Sequence, residues 1–138
     1  MRELDTTSEP VLLALLIADR VHTEQGGKKG INGIFSEFRA PKMTWQSPPW
    51  GIFVSFTNVE GKHNFVLNLQ HEQTQAVVLP VQGEFNIKMR TDILDMPIMV
   101  QSVAFSTAGK YHLQFLIDGE VVGSRPLLLR DLSQEGKA

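Results

Sequence analysis

The sequence predicts an all-β chain folded as a two-sheet β-sandwich of immunoglobulin-like, Greek-key type, with seven to eight strands. Three observations carry this expectation. From Val11 onward, short apolar stretches alternate with turn signals at spacings of about ten residues. Several stretches largely alternate apolar and polar residues, as where Phe65, Leu67 and Leu69 share one face and Asn64, Asn68 and Gln70 the other. Finally, Ala108-Gly109-Lys110-Tyr111 sets a tyrosine just after a turn, at the head of a late strand. Sandwiches place a corner tyrosine there, bonded back to upstream backbone.

Residues 1–8 are polar and expected to be flexible; one domain spans 9–130, and 131–138 form a flexible polar tail. Within the domain, the stretch 10–24 has competing signals. Leu and Ala favour a helix and Pro10 suits a first turn. The run is short and apolar all round, however, and it continues through Val21-His22-Thr23 to Gly26-Gly27. A glycine pair between extended runs fits a hairpin turn, so 10–24 reads as a strand returning through 28–39. A two-residue turn sets Glu24 opposite Lys29, a favourable charge pair, and Arg20 opposite Gly33.

Residues 40–50 contain three prolines and are excluded from a sheet interior. The next strand, 51–57, puts Ile52, Val54 and Phe56 on one face. Strands follow at 63–71, 76–81, 84–90 and 98–105. Tyr111, Leu113, Phe115 and Ile117 then share a face, Asp118-Gly119 turns the chain, and 121–129 returns.

The string Ala18-Asp19-Arg20-Val21, then Gly27-Lys28-Lys29 and Gly33-Ile34-Phe35, resembles the opening of a family of small bacterial domains of unknown function. Pro48-Pro49 before a strand, Gly61, Gly109-x-Tyr111 and Asp118-Gly119 are similar to that family's pattern too, so the resemblance spans most of 10–130. It implies a β-sandwich and a strand for the first segment, and it implies no activity.

Composition narrows the function further. Of 138 residues, 42% are hydrophobic and 20% charged, with a formal net charge of -2, which excludes a disordered chain and a field built for nucleic acid. There is no cysteine, which removes disulfides, thiol catalysis and cysteine-ligated metals and fits a cytoplasmic location. The longest apolar run, Val11 to Ala18, falls short of the roughly 20 residues of a membrane span, so no membrane partner is expected.

No catalytic residue, metal site or cofactor is assigned. Gly26-Gly27-Lys28-Lys29-Gly30 lacks the Ser or Thr and the following helix of a phosphate loop. His22, His63, His71 and His112 have no metal spacing and read as surface or strand-end residues. Asp19 beside Arg20 reads as a paired structural carboxylate, with no second carboxylate to complete an acid/base couple.

Two binding features remain. Residues 11–18 are apolar on both faces, and neither face can meet water without cost. Leu12 and Leu16 fall on the face left over when the other enters the core; its cover is either the 40–50 loop or a second copy of the chain, and the homodimer is favoured because a loop with three prolines adapts poorly to a strand face. The expected function is therefore a non-enzymatic structural or interaction domain that self-associates. The alternative is a small-ligand or carbohydrate-binding module using Trp45 and Trp50 of the 40–50 loop.

Overall fold

A computed structural model describes residues 9–135. The chain forms eleven strands: β1 (Val11–Thr23), β2 (Lys29–Ile34), β3 (Glu37–Ala40), β4 (Trp45–Gln46), β5 (Trp50–Thr57), β6 (Gly61–His71), β7 (Val77–Ile87), β8 (Ile93–Val100), β9 (Ala104–Phe105), β10 (Gly109–Ile117) and β11 (Glu120–Asp131). Among the described residues the only helical segment is a single 3-10 turn, Leu132–Gln134. The first sheet has the order β2-β1-β5-β8 and the second β3-β11-β10-β6-β7; β4 and β9 make a two-stranded clip. The β5–β6, β7–β8 and β8–β10 connections pass between the sheets. This is immunoglobulin wiring, and the strand total exceeds the expected seven to eight because short β2, β3, β4 and β9 are added to it.

Alternation decides the core. Ile52, Val54 and Phe56 of β5 face Leu67, Leu69, Leu113, Phe115, Leu127 and Leu129 of the opposite sheet, all buried. Each strand that contains proline runs along a sheet edge, at least locally, where a missing N–H costs no ladder bond. Pro80 lies in edge strand β7 and Pro97 in edge strand β8, while Pro126 precedes the part of β11 that takes β3. This corrects two expectations: 76–81 and 84–90 are one strand running through Pro80, and the strand expected at 98–105 is split between β8, which runs Ile93–Val100, and β9 of the clip.

The first segment is a strand, and it does return through a hairpin. The register differs by one residue: Thr23 faces Lys29 and Arg20 faces Asn32, while the Glu24 N–H donates to Lys28 O at 2.7 Å. The cause is a three-residue loop instead of a two-residue turn. Gly27 N–H donates to Glu24 O, and Gly26 and Gly27 both have positive φ, 94° and 90°. The return strand is also interrupted. Phe35 N–H still bonds Ile17 O in the first sheet, but Ser36 O already accepts from Leu128 in the second. β3 then runs parallel to β11, so the expected strand 28–39 is split between both sheets.

Tyr111 is the corner tyrosine. Its ring is buried and its hydroxyl donates to Thr107 O at 2.5 Å. Burial pushes its phenol pKa up. Tyr111→Phe keeps the ring and loses this bond, so thermal unfolding should show a loss of about 1 kcal/mol.

The expected flexible N-terminus, 1–8, and residues 136–138 of the expected flexible tail 131–138 lie outside the described residues. Residues 132–135 fold back as the 3-10 turn, capped by the Asp131 carboxylate accepting from Ser133 N–H at 2.9 Å, and Glu135 pairs with Arg130.

Candidate functional site

The outer surface of the β2-β1-β5-β8 sheet is the most distinctive feature of the molecule. A bulge between Leu12 and Ala14 reverses the alternation of β1. Before it, Leu12 opposite Phe56 turns inward, packs against the core and fills the space left by the missing side chain of Gly123. After it, Leu15 and Ile17 turn inward, and Leu16 opposite Phe53 turns outward. Leu12 and Leu16 therefore do not share a face, because one inserted residue shifts the period-two pattern.

Across the sheet, the outward positions form registered rows. Val11, Thr57 and Ile93 make one row; Ala14, Ser55 and Asp95 the next; then Leu16, Phe53 and Pro97; then Ile34, Ala18, Gly51 and Met99. Ten large apolar side chains are exposed among the described residues, and five of them (Val11 46%, Leu13 50%, Ile34 56%, Ile93 59%, Met99 44%) lie on or at the rim of this face. Leu16 and Phe53 are half-buried at its centre. Asp95 is the single charged group in these rows, and it accepts from Ser55 Oγ at 2.6 Å. The face is thus apolar over contiguous rows and carries a single charge.

The ends of the sandwich are built differently. At one end Phe38 contacts Trp45 and Trp50, with ring centroids 5.3 and 5.8 Å apart. Trp45 stacks on Phe105 at 6.0 Å and 23°, and Phe105 meets the edge of Tyr111 at 5.2 Å. The 40–50 loop is pinned there: Ser47 N–H donates to Val103 O at 2.9 Å, and Ser47 Oγ accepts from Val103 N–H at 3.0 Å. Trp50 is 1% exposed and Trp45 is half-buried. The two tryptophans thus close the core and do not form an exposed coplanar platform. Beside Trp45 lies a shallow recess of about 530 Å³ lined by Asp19, Phe35, Ser36, Glu37, Phe38, Arg39 and Pro48 as well. Asp19 is exposed there, not buried and paired as its neighbour Arg20 suggests in the sequence.

At the other end a recess of about 550 Å³ contains His63 and Asp118. His63 Nδ1 donates to the Asp118 carboxylate at 2.5 Å and Nε2 donates to Glu60 O at 2.8 Å. Both acceptors are oxygens without protons, so only the doubly protonated ring satisfies both bonds, and in that form no lone pair is left for a base. The Asp118 carboxylate beside it, followed by the Glu60 carbonyl, raises the His63 pKa. His63 in turn holds Asp118 below the usual carboxylate range. The pair is a latch on the Asp118-Gly119 turn. A raised folded pKa gives stability that is fully present below the unfolded value of about 6.5 and lost as pH rises through the folded value. We expect an NMR titration to place His63 above 6.5, and unfolding free energy to fall through that window in the native chain but not in His63→Gln.

The other histidines are structural or superficial. His71 is buried: Nε2 donates to Ala108 O at 2.9 Å, and Nδ1 accepts from Gln73 and Thr74 N–H, each at 3.1 Å. It closes β6, as the strand-end reading expects, but it is buried and not superficial. His112 reaches the Glu72 carboxylate at 2.8 Å, and His22 lies against Gly30. Among the described residues no group of three or more His, Asp or Glu side chains is arranged to hold a metal ion.

With the fold and these surfaces in place, comparison with known proteins gives one assignment. A family model described as a family of unknown function, DUF6941, matches residues 13–130. The chain belongs to this family. That agrees with the resemblance seen at Ala18-Asp19-Arg20-Val21 and Gly33-Ile34-Phe35, both within the matched span. No curated protein matches it. Among solved structures it is similar to an immunoglobulin-like protein from Pseudomonas aeruginosa, at 12% identity and a TM-score of 0.44, covering 90% of this chain and 98% of that one. No helix among the described residues is long and apolar enough to cross a membrane.

Proposed function

We propose that this bacterial protein is a non-enzymatic interaction domain that self-associates through the outer face of the β2-β1-β5-β8 sheet, working in the cytoplasm. The observation that carries the reading is the set of registered apolar rows centred on Leu16 and Phe53. Such a face loses about 25 cal/mol of stabilisation for every square ångström of apolar surface left wet. The occupant we assign is a second copy of the chain. The rows contain one charge, Asp95, already bonded to Ser55, so a complementary partner is apolar and needs no basic patch. A second copy supplies such a surface, and a net charge of -2 opposes its approach only weakly. A two-fold dimer is the commonest closed arrangement. Light scattering during size exclusion tests it: a mass twice that of the chain, falling with dilution, supports the dimer, and a monomer at tens of micromolar overturns it.

The ligand-binding alternative loses the two-tryptophan platform because Trp50 is enclosed. What remains of it is the recess beside Trp45.

A further inference from the structure

We propose that the recess beside Trp45 binds a guanidinium group, with the charge against Asp19 and the aliphatic stem over Phe35, Trp45 and Pro48. The site forms because the chain changes sheets here. β1 runs past the core to Asp19, the Phe35-Ser36 crossover leaves the first sheet, and the pinned 40–50 loop brings Trp45 and Pro48 to the third side. The volume of about 530 Å³ lies within the range of small-ligand sites.

The charges in and beside the recess determine what it takes. Glu37 accepts from Arg39 Nε at 2.6 Å and from Arg130 Nη1 at 3.4 Å, and Arg130 is further paired with Glu135. Those two cations are already matched. Asp19 is not: among the described residues its carboxylate makes no hydrogen bond or ion pair and only rests against Gly33, where no Cβ displaces it. A free carboxylate beside a half-exposed indole and a phenyl ring favours a flat cation. Guanidinium suits it better than ammonium, because its plane stacks on aromatic faces while its edge donates two parallel hydrogen bonds to a carboxylate. The 40–50 loop is held by the Ser47–Val103 bonds and by Gln46 Nε2 donating to Ser102 Oγ at 2.8 Å, so the aromatic wall is preformed.

The probe is Nα-acetyl-arginine methylamide, with the citrulline analogue as an isostere that lacks the charge. In amide and indole NMR spectra at millimolar probe, saturable shifts are expected at Gly33, Ser36 and the Trp45 indole N–H. Citrulline should bind about tenfold more weakly, and Asp19→Asn should abolish the difference between the probes. Asp19 is exposed and unbonded, so this variant should fold as the native chain does, which its unfolding midpoint checks. Equal binding of both probes, an unchanged preference in Asp19→Asn, or no saturable shift with arginine overturns the proposal. Butylguanidinium distinguishes the source: binding as tight as the blocked arginine points to a free guanidinium compound, and weaker binding to an arginine of a partner polypeptide. Either result upholds the site. It is independent of the dimer, because Asp19 and Trp45 lie outside the apolar rows.

Discussion

His71→Ala is expected to destabilise the fold by about 3–4 kcal/mol, among the largest effects of any single polar side chain in this molecule. His71 is the knot between two turns. Its Nε2–H satisfies Ala108 O in the corner that precedes β10, and its Nδ1 takes the N–H groups of Gln73 and Thr74 in the β6–β7 turn. The ring also meets the edge of Tyr111 at 4.8 Å. Truncation leaves one carbonyl and two amides without their partner, each costing about 1–3 kcal/mol if water cannot reach it, and leaves a cavity against the tyrosine. His71→Asn should recover part of the loss by restoring a donor or an acceptor. Denaturant unfolding of the three proteins gives the order native, Asn, Ala. Equal midpoints for Ala and the native chain would contradict the role.

Leu16→Asp is expected to dissociate the proposed dimer while leaving the monomer folded. The side chain points outward from the sheet, so a carboxylate there meets water in the free monomer. In the assembled state it would meet the partner's apolar rows. Two-fold symmetry applies the substitution twice, and the loss of two apolar contacts of about 2 kcal/mol each raises the dissociation constant by about a thousandfold. Desolvation of the two carboxylates adds to that.

Most of the sandwich was legible from alternation. Ile52, Val54 and Phe56 read as one face, and so did Tyr111 to Ile117, because antiparallel strands buried on one side keep period two. The corner tyrosine was legible from its place after Gly109. Three things were not. The bulge at Leu13 carries no residue signature of its own, so Leu12 and Leu16 read as neighbours on a face they do not share. β8 was misplaced because Pro97 reads as a breaker, although an edge strand tolerates it, and with β8 went Ile93 and Met99 of the outer face. The third was His71, whose burial depends on turns that meet only in three dimensions. Phe53 did carry a signal: an aromatic residue between the inward Ile52 and Val54 is out of place on a wet face. A fourth feature was illegible as well: Asp19 and Trp45 line one recess only because β2 and β3 belong to different sheets, and no local pattern encodes that crossing.

Sedimentation equilibrium on three proteins tests the central claim most directly: the native chain, Leu16→Asp, and Val77→Asp, which places the same charge at an exposed apolar position in edge strand β7 of the other sheet. A native dimer, a Leu16→Asp monomer and a Val77→Asp dimer are the predicted results. A native chain that stays monomeric at tens of micromolar, or equal dissociation by both substitutions, would contradict the assignment of the outer face as the self-association surface.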